Sequence, residues 1–170
     1  MNLVFEKISR GINRKDFDCG VDSLNAYLKK YAWQNFKKNV GVTILAFEED
    51  KRNKILGYYT VSMAQIKFEH LPPALSKGLP RYPIPAMRIG RLAVDRYAQA
   101  KGVGSTLLRN AFQRAVALSS EVGTCAVLVD AINEQAKSFY EHYGFVALND
   151  LPSALVLPIA TIAQAYELYE

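Results

Sequence analysis

Apolar residues recur along the chain in two spacings, and these spacings predict alternating strands and helices. Short apolar, β-branched runs predict strands at 3–8, 42–47, 56–65, 87–94, 125–129, 145–148 and 154–157. Apolar positions three and four residues apart predict helices from residue 24 onward, over 103–118 and over 133–143, with a short helix near the C-terminus. The order of elements predicts a single α/β domain over residues 1–170, with a mixed sheet flanked by helices.

Capping residues and prolines indicate where some of these elements begin and end. Asp22 and Ser23 are suited to cap the first helix, and Asn133 is suited to cap a later one. Gly144 is placed to end the helix that begins near Asn133. Five of the seven prolines lie between residues 71 and 85, which predicts a stiff, irregular segment there.

The composition is that of an ordinary globular protein. Half of the 170 residues are hydrophobic and 22% are charged, and no apolar run approaches the roughly 18–20 residues of a membrane span. The N-terminus lacks the features of a secretion signal, so we expect a cytoplasmic protein without membrane contact. Cys19 and Cys125 form no metal-type cluster, and we expect neither a metal nor a disulfide.

Charge is distributed unevenly along the chain. Residues 1–120 carry 20 basic and 9 acidic side chains, a balance of +11, whereas residues 121–170 carry one basic and seven acidic side chains, a balance of −6. This asymmetry favours an anionic partner, either the phosphates of a coenzyme or a nucleic acid, over a merely uneven solvated surface. Trp33 lies among lysines on the predicted first helix, a mixture that contacts nucleic acids or packs against another surface.

The most specific chemical signal is the segment from Arg91 to Ser105. A strand that enters a glycine-containing turn and then a helix presents backbone N–H groups to phosphate. A Walker loop is excluded because no Gly-Lys-Ser/Thr follows at the required spacing. The dinucleotide fingerprint is excluded because Leu107 stands where its third glycine would be. The pattern that remains is Gln99-x-x-Gly102-x-Gly104.

This pattern resembles the pyrophosphate loop of the GNAT acetyltransferases. Residues 130–145, with Asn133 and Phe139-Tyr140-x-x-x-Gly144-Phe145, resemble a second segment of that family. The resemblance implies the GNAT fold, in which a parallel pair of strands splays apart, and acetyl-CoA as cosubstrate without a metal. The residues that it implies in cofactor binding are Leu92, Ala93, Val94, Gln99, Ala100, Lys101, Gly102, Val103, Gly104, Ser105, Asn133 and Phe139.

Tyr140 matches the general acid of that family, which protonates the departing thiolate. An ordinary tyrosine pKa is roughly 10, against about 8.5 for a thiol, so we expect a hydrogen bond that strengthens as charge develops on sulfur. The alternative is a core tyrosine packed beside Phe139 and Tyr143. No general base is evident, since His70 and His142 are the only histidines and both are expected at the surface.

A narrower resemblance lies upstream. Phe17-Asp18-Cys19-Gly20, parts of residues 24–39, and Arg88–Asp95 resemble the GNAT toxins of bacterial toxin–antitoxin pairs, which acetylate the α-amino group of aminoacyl-tRNA. This implies aminoacyl-tRNA as substrate and a ribbon-helix-helix antitoxin as partner, and we also expect a homodimer. The candidate tRNA-binding residues are Lys29, Lys30, Lys37, Lys38, Arg81, Arg88 and Arg91.

The missing general base is consistent with an aminoacyl ester as acceptor. An α-amino group has a pKa near 8, and an adjacent ester lowers it, whereas a lysine amine has a pKa near 10.4. An aminoacyl ester therefore needs little help to lose its proton. Two other functions remain open on the sequence alone: acetylation of a small-molecule or protein amine without a toxin role, and non-catalytic binding of an acyl-CoA.

Overall fold

The computed structural model describes residues 1–166 and confirms the predicted α/β class. Within these residues the strands are β1 (Leu3–Lys7), β2 (Val42–Glu48), β3 (Gly57–Ile66), β4 (Ile84–Val94), β5 (Ala126–Asp130), β6 (Val146–Leu148) and β7 (Leu151–Pro158). The helices are α1 (Asp22–Ala26), α2 (Ala32–Lys37), α3 (Pro73–Ser76), α4 (Val103–Ser119), α5 (Glu134–His142) and α6 (Ile159–Tyr166). A π-helical turn spans Tyr27–Tyr31, and 3₁₀ turns span Phe68–His70 and Arg96–Ala98.

The strands are hydrogen-bonded in the order β1-β2-β3-β4-β5-β7-β6. The β4–β5 pair is parallel, and its register runs from Ala86 opposite Ala126 to Ile89 opposite Val129. β4 then continues for five residues to Val94, whereas β5 ends one residue later at Asp130. A parallel pair among antiparallel neighbours confirms the mixed sheet that the element order predicts.

The chain forms two compact units, each with its own apolar cluster. The first unit comprises residues 1–62 and 90–111, and the second comprises residues 63–89 and the described residues from Phe112 onward. The cluster of the first unit includes the buried side chains of Phe17, Leu24, Leu28, Phe47 and Tyr58. The cluster of the second includes those of Ile66, Leu71, Ile84, Leu128 and Val156.

The first helix contains a π-turn that the apolar pattern does not predict. The backbone N–H of Ala32 donates to the carbonyl of Tyr27, five residues back, so this turn holds one residue more than an α-helical turn. The extra residue rotates the next helical segment by about 100°. As a result Tyr31, which continues the helical apolar spacing of Leu24, Tyr27 and Leu28, is 53% exposed, and Ala32 is completely buried instead.

The predicted cap of the first helix is wrong, whereas the prediction for α5 is confirmed. Val21 occupies the N-cap position of α1, and no side chain caps that helix. Asp22 belongs to the first helical turn, where its negative charge interacts favourably with the helix dipole. At α5 the Asn133 side chain accepts a 2.8 Å hydrogen bond from the Ala136 N–H, and Gly144 follows the helix with φ +95°.

Candidate active site

The loop between β4 and α4 adopts a conformation suited to binding an anion. Ala100 and Gly102 have φ values of +61° and +81°, in the left-handed region that glycine tolerates best. A Cβ at Gly102 would meet no atom within 4 Å, so backbone strain rather than crowding explains the glycine. Left-handed residues in a turn help neighbouring N–H groups converge, and α4 adds the free N–H groups of its first turn.

Helix α4 gives this loop a fixed support. It runs for 17 residues from Val103, which is 2% exposed, and it buries an apolar face that includes Leu107 and Leu108. Behind the loop, the close packing of Leu107 and the backbone of Ala93 around Gly57 leaves no room for a Cβ on that glycine. The helix dipole therefore acts at a defined place, next to Gly102, Val103 and Gly104.

Gln99 holds the loop through its side chain rather than offering that side chain to a ligand. Its Nε2 atom donates a 3.0 Å hydrogen bond to the Cys19 carbonyl and another of 3.0 Å to the Val94 carbonyl. Both hydrogens of the amide are thereby used. Gln99 thus connects the end of β4 to the Phe17–Gly20 segment, and the backbone of the loop remains available to contact phosphate.

The Phe17–Gly20 segment is joined to the same loop by two carboxylates, which we call the Asp18–Asp95 network. The Asp18 N–H donates to Asp95 Oδ2 at 3.0 Å, and the Arg96 N–H donates to the Asp18 carbonyl at 2.8 Å. Asp95 is only 3% exposed, and its Oδ1 atom accepts a 2.9 Å hydrogen bond from the Tyr97 N–H. The Asp95 carboxylate therefore fixes the start of the loop, at Tyr97, against the Phe17–Gly20 segment.

The Asp18 carboxylate closes the network. Hydrogen bonds from the Asn25 side chain and the Gly20 N–H, both 2.9 Å long, lower the pKa of Asp18, and the nearby Arg96 adds to this effect. The sequence resemblance marks Phe17–Gly20 without giving the segment a role. Asp95 and Asn25, which complete the arrangement, are absent from the predicted site. The contact of Asp95 with Asp18 joins residues 77 apart in the chain, whereas Asn25 bonds to the nearby Asp18 and Cys19 in a loop conformation that has no sequence motif.

Tyr140 lies on α5 in the second unit and is 5% exposed. Its ring packs edge-on against Phe139 and Phe145, with centroid distances of 5.3 and 5.5 Å. Burial raises the pKa of Tyr140, and the negative charge of Asp130 raises it further. The phenol is therefore neutral at physiological pH and can donate a hydrogen bond. Because a raised pKa makes it a weaker acid, a strengthening hydrogen bond to a thiolate is favoured over complete proton transfer.

The other predicted cofactor residues are divided between the two units. Residues 92–105 belong to the first unit, in which Ala93 is 4% exposed and Leu92 and Val94 are half-buried. Lys101 places its Nζ atom 4.2 Å from the centre of the Tyr97 ring, and Ser105 donates a hydrogen bond to the Gly102 carbonyl. Asn133 and Phe139 belong to the second unit, at the cap and within the body of α5.

The four predicted tRNA-binding lysines of the first helix, Lys29, Lys30, Lys37 and Lys38, are all exposed. Trp33 is half-buried rather than exposed, and it packs against the apolar cluster of the first unit. It stacks on Phe36 at 5.7 Å, and Lys37 Nζ lies 5.7 Å from the centre of its ring. The Trp33 ring therefore packs inward, beside the Lys37 side chain, instead of projecting into solvent.

The three predicted arginines have different surroundings. The Arg91 guanidinium carbon lies 3.6 Å from the centre of the Tyr27 ring, a stacking distance. Arg88 forms an ion pair and hydrogen bond with Asp130. Arg81 is exposed in the proline-rich segment.

Among residues 1–166 no helix is long and apolar enough to cross a membrane, and no cluster of three His, Cys, Asp or Glu side chains is arranged to hold a metal.

Comparison with known proteins gives consistent matches along the chain. Residues 40–147 match the family model of the acetyltransferase (GNAT) domain. The chain is 32% identical over 139 residues to the tRNA-acetylating toxin of Mycobacterium tuberculosis, covering 82% of this chain and 81% of that protein. It is 29% identical over 158 residues to the probable toxin TacT of Sinorhizobium fredii, covering 88% and 87%.

Solved structures agree with these matches. A Tyr-to-Phe variant of KacT has a TM-score of 0.90 and 29% identity, covering 97% of this chain and 99% of that one. AtaT complexed with acetyl-methionyl-tRNAfMet has a TM-score of 0.90 and 28% identity, with the same coverage. A Tyr-to-Phe variant of AtaT bound to the C-terminus of the antitoxin AtaR and acetyl-CoA has a TM-score of 0.82 and 27% identity, covering 98% and 99%.

Proposed function

The chain belongs to the GNAT acetyltransferase family, and from this premise we propose that it acetylates the α-amino group of aminoacyl-tRNA and so blocks translation as a toxin. The observation that carries this proposal is the likeness, over nearly the whole chain, to AtaT in complex with an acetylated aminoacyl-tRNA. The curated relative from Mycobacterium tuberculosis is named for the same reaction. The enzyme is an acetyl-CoA-dependent N-acetyltransferase.

The residues of the first unit are suited to bind acetyl-CoA, which supplies the acetyl group as a thioester. The loop from Gln99 to Ser105 holds the diphosphate through backbone N–H groups, with Gly102 and Gly104 keeping the approach open. Leu92 and Val94 hold the pantetheine arm through their backbone groups, beside Ala93. In the second unit, Asn133 and Phe139 contact the arm nearer the thioester.

Acyl transfer needs only one side-chain donor in this proposal. The acceptor amine attacks the thioester carbonyl, so a C–N bond forms as the C–S bond breaks. Tyr140 donates a hydrogen bond from its phenol to the sulfur as negative charge develops there. The amine loses its proton to water, since an aminoacyl ester amine is only weakly basic. The Cys19 and Cys125 thiols take no part, because burial raises the pKa of each and suppresses the reactive thiolate.

The tRNA body requires basic groups beyond the cofactor loop. Lys29, Lys30, Lys37 and Lys38 supply four solvent-accessible charges on one short stretch of the first unit. Arg81, Arg88 and Arg91 are assigned to the tRNA as well, although Arg88 and Arg91 also have protein partners. Acetyl-CoA carries only a few phosphates and cannot use all of this charge.

We further propose that the enzyme works in the cytoplasm as a homodimer and is neutralised by a ribbon-helix-helix antitoxin. The structural relative AtaT binds the C-terminus of its antitoxin AtaR, which supports a protein inhibitor here. Size-exclusion chromatography with light scattering, alone and after co-expression with the protein encoded by the neighbouring reading frame, measures both associations.

The decisive experiment offers the purified enzyme acetyl-CoA and a total pool of charged tRNA. We expect N-acetylated aminoacyl-tRNA, detected by mass spectrometry after nuclease digestion, and none with uncharged tRNA. Expression in a bacterial host should stop growth, and Tyr140→Phe should relieve the arrest. If every aminoacyl-tRNA is left unmodified while a polyamine or a protein lysine is acetylated, the enzyme is a GNAT acetyltransferase of another amine.

A further inference from the structure

The second unit contains a cavity of about 570 Å³ that the sequence does not predict. This volume is typical of a small-molecule site. The cavity is lined by charged side chains, among them Arg88 and Asp130, and by apolar side chains, among them Leu128, Leu148 and Leu151. A site with this mixed lining is suited to a ligand that has both a polar head and an apolar part.

The parallel pairing of β4 and β5 brings together Arg88 and Asp130, two charged residues of the cavity lining. Arg88 lies opposite Leu128 in the register, and Asp130 follows two residues later on the same face of β5. The Arg88 guanidinium and the Asp130 carboxylate form an ion pair, and their side chains remain 37% and 44% exposed. The pair is therefore fixed by the sheet and still reachable by a ligand.

The two charges of this pair offer different chemistry to an amine. Arg88 has only donors, whereas the Asp130 carboxylate has spare lone pairs that accept N–H hydrogen bonds. Arg88 also offsets the negative charge of Asp130. This matters because an isolated carboxylate would favour the protonated amine, which cannot attack a thioester. The pair is thus suited to hold an amine without strongly stabilising its unreactive form.

Tyr140 is linked electrostatically to the lining of this cavity through Asp130. The negative charge of Asp130 contributes to the raised pKa of the Tyr140 phenol. Asp130 therefore connects the lining of the cavity to the proposed hydrogen-bond donor, and both belong to the second unit.

The remaining lining favours an uncharged ligand side chain. Leu128 and Leu148 are buried, with 3% and 6% exposure, whereas Leu151 is 42% exposed. We call these three residues the leucine wall. The charged lining residues Lys67, Arg88, Asp130 and Asp150 balance to zero. A charged side chain packed against the leucines would lose hydration, which is costly, whereas an uncharged one would not.

We propose that this cavity receives the aminoacyl end of charged tRNA, with Asp130 accepting a hydrogen bond from the α-amino group and the leucine wall contacting an uncharged amino-acid side chain. This inference rests on the proposed function and adds to it a class of amino acid and a positioning residue. Asp130 orients the nucleophile, and Leu148 and Leu151 select its side chain.

The first test separates acceptor binding from cofactor binding. Asp130→Asn should raise the KM for charged tRNA at least tenfold, while the Kd for acetyl-CoA and kcat change less than threefold. Glu6→Gln is the matched control, because it also removes a solvent-accessible carboxylate paired with an arginine, Arg52, and Glu6 does not line the cavity. It should leave every parameter unchanged. Equal melting temperatures for both variants and the wild type exclude a folding defect.

The second test concerns the side chain. Wild-type enzyme should acetylate tRNA charged with leucine or methionine at least tenfold faster than tRNA charged with aspartate or lysine. Leu151→Glu should lower kcat/KM for leucyl-tRNA about tenfold and lower it much less for lysyl-tRNA. Met63→Glu is the control, since Met63 is 51% exposed in the same unit and does not line the cavity.

A direct binding measurement completes the test. The probe is 3′-deoxy-3′-(L-leucylamino)adenosine, an amide analogue of a charged tRNA end with a free α-amino group. It should compete with charged tRNA and bind Asp130→Asn at least tenfold more weakly than wild type. If wild type acetylates no charged tRNA, the proposed function fails and this inference with it. If wild type acetylates charged tRNA but Asp130→Asn and Leu151→Glu behave as wild type, the inference alone is wrong.

Discussion

The two compact units differ in charge and in the structural features that they contribute, which fits the different binding roles that we propose for them. The first unit carries 15 basic and 8 acidic side chains, and its loop is shaped by positive φ angles and the Asp18–Asp95 network. The second carries 6 basic and 8 acidic side chains, and it contains Tyr140, the Arg88–Asp130 pair and the leucines of the cavity. A phosphate of fixed shape can be bound by backbone, whereas a variable acceptor must be recognised by side chains.

The largest expected effect falls on the second unit alone. Tyr140→Phe should lower kcat by about 10²–10⁴, the range of general acid–base catalysis, because the thiolate loses its hydrogen-bond donor. Calorimetry should show acetyl-CoA binding within twofold of wild type. Tyr143→Phe is the control, as Tyr143 is a half-buried tyrosine that also packs on Phe139. A loss in Tyr140→Phe of less than threefold means that Tyr140 only packs in the core.

The complementary change falls on the first unit. Gly104→Glu should weaken acetyl-CoA binding about 100-fold or more, since it places a negative charge and a bulky side chain where the diphosphate binds. Gly123→Glu makes the same change in an exposed turn, where a Cβ meets no atom within 4 Å, and should bind normally. Normal affinity in folded Gly104→Glu, measured by calorimetry, would remove the loop from the cofactor site.

A milder change tests whether Gln99 acts through position. Gln99→Ala removes the hydrogen bonds to the Cys19 and Val94 carbonyls and should raise the Kd for acetyl-CoA about tenfold with kcat unchanged. Gln113→Ala, at an exposed position of α4, serves as the control. If Gln99→Ala lowers kcat and leaves the Kd for acetyl-CoA unaltered, a residue of the first unit affects the acyl-transfer step, and the two units do not have separate functions.

The four exposed lysines between residues 29 and 38 should contribute to binding of charged tRNA, although they belong to the first unit. The double variant Lys30→Glu, Lys37→Glu should raise the KM for charged tRNA about tenfold at low salt and retain acetyl-CoA binding. The difference from wild type should shrink as salt rises, because salt weakens the same phosphate contacts. Lys7→Glu, Lys51→Glu changes the charge equally at two other exposed positions and should have less effect.

The smallest expected effect concerns pH. The contribution of Tyr140 to kcat should not change with pH up to pH 10. Burial and Asp130 raise the pKa of Tyr140, so the phenol keeps its proton above pH 10, the ordinary tyrosine pKa. The ratio of kcat for wild type to kcat for Tyr140→Phe should stay constant within about 20% from pH 7 to pH 10. A ratio that falls by half near pH 10 would show that the phenol ionises at its usual pKa.

Features set by local sequence were predictable, and features set by long-range pairing were not. The strands and the Asn133 cap follow from short patterns, and the glycines at 102 and 104 mark the loop. The π-turn escaped prediction because an extra residue has no signature in the apolar spacing. The Arg88–Asp130 pair joins residues 42 apart and exists only because β4 and β5 pair in one register.

The Asp18–Asp95 network also has a thermodynamic consequence. A free loop loses about 1–2 kcal/mol of backbone conformational entropy for each residue that a ligand orders. Here the loop is restrained by contacts from Asp18, Asp95 and Gln99 that form when the chain folds. Much of that ordering is therefore complete before acetyl-CoA arrives, and cofactor affinity becomes coupled to the local stability of a distant N-terminal segment.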